Sequence, residues 1–595
     1  MTSIDIGFGS RSRLTAVIAG ILLAVFGSVR AGVINVPSVS FADVNSAVAL
    51  ASDGDTIVIP AGTATWASTL NVTKAITLQG AGIGGTIVLD NAPNPTSQSA
   101  ILIDVTLVPG KTTRITGLEF RGLRTAGGSS VIELNGINND GSRARVDHCK
   151  FNLVNMTCMV WPKGVIGIID HCEDIINGTG GFLCYVFHEN WNGGSKSDKS
   201  WSDDAHWGTD QFWFIEDNII TAGGGSAGAA CMDSYRGARW VFRHNTVKNC
   251  NLSAHGTESS GRTRGTRAVE VYDNTFTVAA DPPQTATSVS RSTVLNLRSG
   301  SALMHHNTSS GFGGNWALRT DDDRLAGNYK AFGAADGDIP WDNMSSNPRE
   351  SGTATGGSAL TLTDTSKTWT PNDKWKGYVI RQVKVSGTAT GGDSNSMIDT
   401  SKSWAANQWA RYMIKDTTTG KWGYIDSNTA NTINYTGFGS ATFAAGNTYE
   451  IINASYITGS TSNSLTYFGA IIGPDVAFNG GEKYQINKVD ETLDAPGRGK
   501  CDDLGGATNP SPQNLNQVTE PVYEWLNSHN GQPSANTTYI GSNYPSVFRA
   551  GEHCKNNTIK PGYTPFVYPH PLVSGVPAGP APPAAPANLR VAPTQ

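Results

Sequence analysis

Short apolar stretches that end in a polar turn recur along the first half of the chain. Each stretch is followed by one or two polar residues and then by Asn or Cys at the same place. Successive repeats mostly lie 21 to 33 residues apart, and one step, from Cys172 to Asn218, is 46 residues long. The repeated place is held by Cys149, Cys172, Asn218, Asn245, Asn274, Asn307 and Asn328, with Leu118 in an earlier member.

This period predicts a solenoid in which each coil consists of three short strands and three turns. Stacked coils place equivalent residues roughly 4.8 Å apart, so an Asn repeated at one turn can hydrogen-bond along its own stack. Cys fits the same position as a small buried residue. The long step predicts one coil that carries an inserted loop at residues 188–211, called the insertion below.

The start of the chain carries two further signals. Residues 41–52 have the pattern of a short amphipathic helix, which would cap the solenoid. Before them, Arg11 and Arg13 precede an apolar run at 14–26, the pattern of a signal peptide. That run is too short for a membrane span, so we expect a secreted mature chain without one.

A second repeat begins at Gly352, where GTATGG returns from Gly387, and Trp375 returns as Trp409. These units predict antiparallel hairpins with Trp in their core. The predicted domains are a signal peptide at 1–31, a parallel β-helix at 32–345, an inserted β module at 346–455, a β-helix completion or C-terminal cap at 456–573, and a Pro/Ala-rich linker with a stub similar to a fibronectin type III domain at 574–595.

Composition agrees with many short strands joined by turns. The chain has 68 Gly and only 16% charged residues, which disfavours long exposed helices. Its net charge of −5 is small for 595 residues, so it gives no signature of nucleic-acid or membrane binding.

The capping helix, the segments GDTIVIPAG and ITLQGAG, and the stacked HN and DN turns resemble the pectate-lyase-like superfamily of secreted β-helix proteins. The resemblance covers roughly residues 35–345 and returns near the C-terminus. It implies an all-β fold, a right-handed parallel β-helix with an N-terminal capping helix, to which the second repeat adds an inserted small antiparallel β module. It does not imply one reaction, because this fold carries lyases, hydrolases, epimerases and adhesins.

Cations recur nine residues before the repeated Asn or Cys, at Lys163, Arg236, Arg298 and Arg319, and Arg264 lies beside the corresponding Gly265. The resemblance implies that this preceding strand lines a substrate groove, so the cations would form a row there. Stacked cations favour an anionic partner, and the planar Arg fork suits carboxylate or sulfate. The alternative is that each cation pairs with a nearby acid and only fixes a turn.

Two polar stretches add further candidates. The insertion has three Trp that could stack on sugars and carboxylates that could hold Ca²⁺, or it is an Ω-loop packed by its own aromatics. Residues 255–270 concentrate Arg, His and Glu. The predicted catalytic residues are Arg236, Arg264, His206 and His255. The predicted substrate-binding residues are Lys163, His188, Trp191, Trp201, Trp207, Arg262, Arg267, Arg298 and Arg319. The predicted Ca²⁺ ligands are Asp203, Asp204 and Asp233.

These residue types predict a polysaccharide lyase that cleaves an anionic, uronate polysaccharide by β-elimination. The reaction needs a cation to neutralise the uronate carboxylate and a base, such as His, to remove the adjacent proton. Ca²⁺ is the one cofactor that the sequence suggests. A glycoside hydrolase would instead need two carboxyls, for which the sequence offers Asp233, Glu258, Glu270 and 321–323. A non-catalytic adhesion protein would use the same groove only for binding.

Overall fold

The structure is a computed structural model in which strands from successive coils pair in parallel. It describes residues 31–92, 100–123, 128–137, 140–154, 156–177, 181–193, 198–222, 230–256, 265–278, 293–314, 317–321, 348–372, 374–375, 378–438, 442–472, 474, 476–487, 496–497, 499–500, 520–533, 538–541 and 553–574. Three long sheets run along the solenoid, and each coil contributes one strand to each sheet.

The sheet whose strands end at the repeated Asn or Cys is called the ladder sheet. Its twelve strands are Val33–Asn35, Thr56–Val58, Thr77–Gln79, Thr112–Thr116, Arg143–Asp147, Gly167–Asp170, Trp213–Glu216, Arg239–Arg243, Ala268–Tyr272, Ser301–His305, Val522–Trp525 and Cys554–Asn556.

The sheet that precedes it in each coil is called the groove sheet. Its ten strands are Leu70–Val72, Ile101–Thr106, Gly128–Asn135, Met156–Lys163, Phe182–Phe187, Ala230–Tyr235, Asn251–Ala254, Leu295–Leu297, Leu318–Asp321 and Thr538–Gly541.

The third sheet, called the back sheet, follows the ladder turn. Its strands are Gly62–Trp66, Thr86–Asp90, Glu119–Gly122, Lys150–Val154, Glu173–Asn177, Ile219–Ala222, Thr246–Lys248, Thr275–Thr277, Thr308–Ser310, Ser528–His529 and Gln532–Pro533, the last of which pairs antiparallel.

The core consists of like residues stacked from coil to coil. On the ladder sheet one inward row is apolar and almost wholly buried over six successive coils, and Glu524 follows it in the next coil. Burial of each such side chain stabilises the fold by roughly 1.5–3 kcal/mol. The row contains Val146, Ile169, Ile215, Phe242, Val271 and Met304.

The helix Phe41–Leu50 closes the N-terminal end of this core. The Ser40 hydroxyl accepts a hydrogen bond from the Asp43 amide at 3.2 Å, as expected at a helix N-cap. Val44 and Val48 on its inner face are buried against the first coil. The predicted fold class, a parallel β-helix with an N-terminal capping helix and a small antiparallel module, is confirmed.

The repeated Asn residues form a continuous hydrogen-bonded ladder. The Asn245 side-chain oxygen accepts from the Asn218 amide at 2.9 Å, and Asn274 accepts likewise from the Asn245 amide at 2.8 Å. Asn307 donates to Asn527 at 3.0 Å, so Asn527 is the next member of the ladder. The predicted member Asn328 lies outside the described residues.

The antiparallel module is larger than the sequence indicated. Its sheet runs to Asn487, past the predicted boundary at 455, because Lys483–Asn487 pairs with both Glu350–Thr353 and Val379–Thr388. The predicted completion of the β-helix therefore begins only with Val522–Trp525 among the described strands. The module's strands are Glu350–Thr353, Gly356–Gly357, Thr361–Thr363, Val379–Thr388, Gly391–Gly392, Ser396–Ile398, Met413–Asp416, Lys421–Asn428, Thr432–Phe438, Thr448–Ser460, Ser464–Ile472 and Lys483–Asn487.

The two sequence repeats are two equivalent halves of this module. Trp375 and Trp409 each lie in the core of one half, so their predicted structural role is confirmed. Tyr484 donates to the buried Asp364 in the first half at 2.7 Å, and Tyr449 donates to the buried Asp399 in the second half at 2.8 Å.

The C-terminal residues 563–574, called the strap, run back over the outer face of the ladder sheet. This face is apolar around Phe214 and Val241, and Phe566 and Leu572 of the strap pack against it. Arg145 donates to the Leu572 carbonyl at 2.9 Å. The predicted leader at 1–31 and the linker from 575 onward lie outside the described residues, apart from residue 31. No described helix has the length and apolarity to cross a bilayer.

Candidate functional site

The outer face of the groove sheet carries a row of polar and aromatic side chains. Because side chains alternate along a strand, Val160, Cys184 and Met232 point into the core, and the residues between them point outward. Neighbouring outward residues, such as Tyr185 and Asp233, are in register on adjacent coils. This face therefore presents equivalent positions about 4.8 Å apart along the solenoid axis.

A hydrogen-bonded His–Asp pair lies in the middle of this face. Nδ1 of His255 is 2.7 Å from both carboxylate oxygens of Asp233. The Ser234 amide holds the same carboxylate at 2.8 Å, and the ring of Tyr235 stacks on the imidazole with centroids 4.2 Å apart. Only 4% of the Asp233 side chain is exposed, against 21% of His255. A neutral imidazole that donates from Nδ1 to a carboxylate has a free lone pair on Nε2, which suits a general base.

The predicted cations lie around this pair but not in one row. Lys163 is in register with Phe187, and both are the last residues of their strands. Arg319 is in register with Asn296, which lies two residues before Arg298. Arg236 follows Tyr235 with a left-handed backbone (φ 54°), so it leaves the strand direction. The predicted single row is therefore wrong, because Arg319 lies opposite Asn296 and not opposite Arg298, and Arg236 lies one residue beyond the end of its strand.

Two of these cations pair with acids, as the alternative interpretation expected. Lys163 is 2.7 Å from Glu133 and lies over the ring of Trp161 at 3.8 Å. Arg236 contacts Glu189, and about a third of its side chain is exposed. Their charges remain at the surface of the groove sheet, where such pairs contribute little stability.

Arg298 lies on the coil that follows His255 and bonds to the strand that precedes it. Its backbone amide donates to Ala254 at 2.9 Å, and its guanidinium donates to the Ser253 hydroxyl at 3.2 Å. Ser253 is two residues before His255 on the same edge of the sheet. A guanidinium therefore lies one coil away from the candidate base.

The N-terminal part of the groove sheet is acidic, which the sequence reading missed. Asp104 and Glu133 are in register on adjacent coils, and Asn135 donates to Asp104 at 2.9 Å. Burial, and then the charge of Glu133, raise the pKa of Asp104. Each acid is a polar residue in a strand whose side chains alternate between the two faces of the sheet. This alternation in the sequence could have identified both acids as residues of the outer face.

The aromatic residues of the described part of the insertion pack away from the groove, whereas Glu189 contacts Arg236. Trp191 and Trp201 are buried, and Arg267 over Trp201 is fully buried and pairs with Glu520 at 2.6 Å. Trp207 stacks on Phe212 in the apolar cluster outside the ladder sheet. The predicted sugar stacking by the insertion is wrong for Trp191 and Trp201, and Arg267 is not available to a substrate. The apolar outer face of the ladder sheet needs a cover, so the Ω-loop alternative describes the insertion.

His188 is also structural. Nε2 of His188 is 2.9 Å from the Val165 carbonyl, and its Nδ1 accepts from the Arg239 amide at 3.1 Å. Burial lowers the pKa of His188 to about 3, which keeps it neutral. The predicted role of His188 in substrate binding is therefore wrong. Glu270, a candidate hydrolase acid, is likewise buried, on the outer face of the ladder sheet rather than on the groove sheet.

The three predicted Ca²⁺ ligands are not brought together. Asp203 accepts from Trp191 at 2.8 Å and contacts His206 at 2.9 Å, and these bonds lower its pKa although burial alone would raise it. Asp204 pairs with Lys500 at 2.5 Å, and Asp233 pairs with His255.

His206 lies with Asp203 in the insertion, away from His255 on the groove sheet. Among the described residues, the one group of three potential metal ligands within mutual reach is Asp147, His148 and Asp170 at the ladder turn. Arg114 and Arg145 already bridge its carboxylates. Arg262, Arg264, Glu258 and residues 322–323 lie outside the described residues.

Fold and groove place this chain in the class of parallel β-helix proteins. Neither a scan against protein-family models nor a search of curated proteins found a match. Among solved structures, an alginate lyase from Paenibacillus sp. str. FPU-7 is 16% identical over 48% of this chain and 97% of its own, with a TM-score of 0.30.

Two further solved structures show a similar degree of likeness. A PL6-family alginate lyase, AlyGC, is 15% identical over 48% of this chain and 39% of its own, with a TM-score of 0.28. The Dettilon tailspike protein is 12% identical over 72% of this chain and 91% of its own, with a TM-score of 0.29.

Proposed function

We propose that this chain is a secreted polysaccharide lyase that cleaves an anionic, uronate polysaccharide on the outer face of the groove sheet. The observation that carries the proposal is the Asp233–His255 pair, flanked by Tyr235 and by Arg298 on the next coil. Asp233 orients the imidazole, so Nε2 of His255 is the base. The polymer lies along the solenoid axis and contacts several coils.

In this reaction His255 takes the proton next to the uronate carboxylate. The electron pair of that C–H bond forms the carbon–carbon double bond, and the bond to the glycosidic oxygen breaks. The leaving oxygen takes a proton from solvent. Arg298, with Arg236 at the edge of the site, stabilises the charge that develops on the carboxylate, which makes the proton more acidic.

We propose that Ca²⁺ binds at the acidic N-terminal part of the groove sheet, and not at the ligands predicted from the sequence. Asp104 and Glu133 are in register on adjacent coils and offer carboxylate oxygens, the hard ligands that Ca²⁺ prefers, and Lys163 bonds to one oxygen of Glu133. The raised pKa of Asp104 fits such a site, because a cation there would relieve its repulsion from Glu133. When bound, the ion would supply charge neutralisation for a substrate carboxylate.

The test is ultraviolet absorbance of the unsaturated uronate product on pectate, alginate and glycosaminoglycans, with Ca²⁺ and with EDTA. We expect His255→Gln to lose about 10²–10⁴-fold in kcat. Asp233→Asn should lose less, because the imidazole remains but loses its orientation. His148→Gln, an exposed His at the ladder turn, is the matched control and should keep its rate.

Other outcomes would redirect the assignment. New reducing ends without the absorbance would indicate a hydrolase. Binding without any product would indicate a non-catalytic glycan-binding protein. Full activity of His255→Gln on a cleaved polymer would show that another residue is the base.

A further inference from the structure

A buried hydrogen-bonded chain connects the ladder sheet to the strap. Tyr563 donates to one carboxylate oxygen of Glu270 at 2.5 Å, and the Gly208 amide of the insertion donates to the other at 2.8 Å. The Tyr563 hydroxyl is 3.5 Å from Nε2 of His305, whose Nδ1 is 2.9 Å from Nδ1 of His306. Glu270 is therefore enclosed by the strap on one side and by the insertion on the other.

Among the described residues, no cation is in direct contact with this carboxyl. The charged group that faces it is Arg243, which is committed to Glu216 at 2.6 Å and to the Tyr272 hydroxyl at 2.9 Å. Burial raises the pKa of Glu270 to about 7, although the bonds from Gly208 and Tyr563 and the charge of Arg243 lower it. Removal of the strap would return Glu270 toward water and toward its ordinary pKa.

Other titratable groups face the strap along its length. Burial lowers the pKa of His305 and of His570 to about 3, so both stay neutral near pH 7. Burial lowers the pKa of His244, which stacks on Tyr568 at 3.7 Å, and Tyr568 donates to Asp217 at 3.0 Å.

Away from Glu270, half of the strap's residues are exposed and only His570 is fully buried. Its other anchors are backbone groups that accept from Arg145 and Arg243 or donate to Glu216, together with the bond from Tyr568 to Asp217 and the packing of Phe566 and Leu572. A surface segment of which half is exposed is expected to open at a lower free energy than the core strands that it covers.

We propose that the strap is a pH-sensitive latch, docked on the ladder sheet while Glu270 is protonated and released when Glu270 ionises. The sign follows from linkage: the docked state binds the proton more tightly than the open state, so docking weakens as pH rises through the docked pKa. Release uncovers Tyr272 and the apolar face around Phe214 and Val241.

The test is hydrogen–deuterium exchange of strap peptides within 560–574 in the full chain, at about pH 5 and about pH 8.5. Comparison of wild type with Glu270→Gln at each pH cancels the chemical exchange rate. We expect the wild-type strap to exchange at least about tenfold faster, relative to Glu270→Gln, at the higher pH. The two pKa values, about 7 and 4.5, limit the change to about 300-fold.

A second variant keeps the test decisive if Glu270→Gln does not dock. Tyr563→Phe removes a bond that lowers the pKa of Glu270. Hydrogen–deuterium exchange of the strap in this variant should therefore depend more steeply on pH than in wild type. Glu173→Gln, an exposed carboxyl on the back sheet, should behave as wild type. A strap whose exchange relative to Glu270→Gln is the same at both pH values would overturn the latch. So would parallel loss of protection in Arg239–Arg243, which would show global unfolding instead.

Discussion

Asn245 is an interior member of the Asn ladder, and its replacement by Ala tests how the coils are held in register. Its side-chain nitrogen donates to the carbonyls of Ile215 at 2.9 Å and Arg243 at 2.8 Å, and to Asn274 at 3.0 Å. Its oxygen accepts from the backbone and side chain of Asn218 at 2.9 and 3.0 Å. All five bonds are buried, so water cannot replace them.

The magnitude follows from what Ala leaves behind. The Asn218 side chain keeps other partners, since it also donates to the Ile169 and Glu216 carbonyls. The Asn218 backbone amide has no other acceptor in the described part of the chain, and one orphaned buried amide costs about 1–3 kcal/mol. The other bonds contribute about 0.5–1 kcal/mol each. We therefore expect Asn245→Ala to lower the free energy of unfolding by about 4 kcal/mol.

Urea unfolding followed by far-ultraviolet circular dichroism measures this loss. Asn245→Cys should cost about half as much, because Cys149 and Cys172 hold the same position and contact a turn carbonyl at 3.3 and 3.4 Å. Asn35→Ala, on an exposed strand position, is the control and should change little. A loss below about 1 kcal/mol for Asn245→Ala would refute the ladder as a main source of stability.

Three further predictions concern residues that the structure places in structural roles. Because the folded-state pKa of His188 is about 3, stability falls below pH 6.5 by about 1.4 kcal/mol per pH unit, and His188→Gln should make the acid side of the urea-midpoint profile shallower. Trp201→Ala should cost about 3–5 kcal/mol in the same assay yet leave the dissociation constant for the polysaccharide unchanged, and weaker glycan binding would contradict its position outside the groove. Tyr449→Phe and Tyr484→Phe should each cost about 1–3 kcal/mol by exchange of module amides, and a clearly unequal cost would contradict two equivalent halves.

The coil architecture was predictable because its signal is local. A ladder residue such as Asn245 bonds only to its own coil and the two beside it, so each repeat carries the full pattern. The same locality explains the error at the module boundary. Lys483–Asn487 pairs with Val379–Thr388 without sharing a repeated motif, so nothing in the repeat marked it as part of the sheet.

The candidate site was only partly predictable, because contacts between coils depend on register. His255 and Asp233 were both identified, but as an acid/base group and a metal ligand, since their 2.7 Å contact joins two coils. A register shift between Ala230 and Met232 breaks any fixed residue count along these strands. Counting back from the ladder therefore found cations that do not share one row.

The position of the insertion was not readable from composition. Trp201 in a polar loop has the same sequence signal whether it covers a sheet or contacts a sugar. The difference lies in Phe214 and Val241, which make the outer face of the ladder sheet apolar and in need of burial. The alternation of polar and apolar residues along a strand cannot show whether an apolar residue is buried under a loop on the outer face or in the core of the solenoid.

The hydrogen bond from Asn307 to Asn527 joins residues 220 positions apart, since the antiparallel module interrupts a single coil. The antiparallel module pairs mostly segments that are close in sequence and can fold early. The interrupted coil must instead bring together two segments that are far apart in sequence. Closure entropy grows only with the logarithm of loop length, so the separation costs little in final stability. It costs more in time, because such contacts form late in folding. We therefore expect the last coils to be the slow step in reaching the native state.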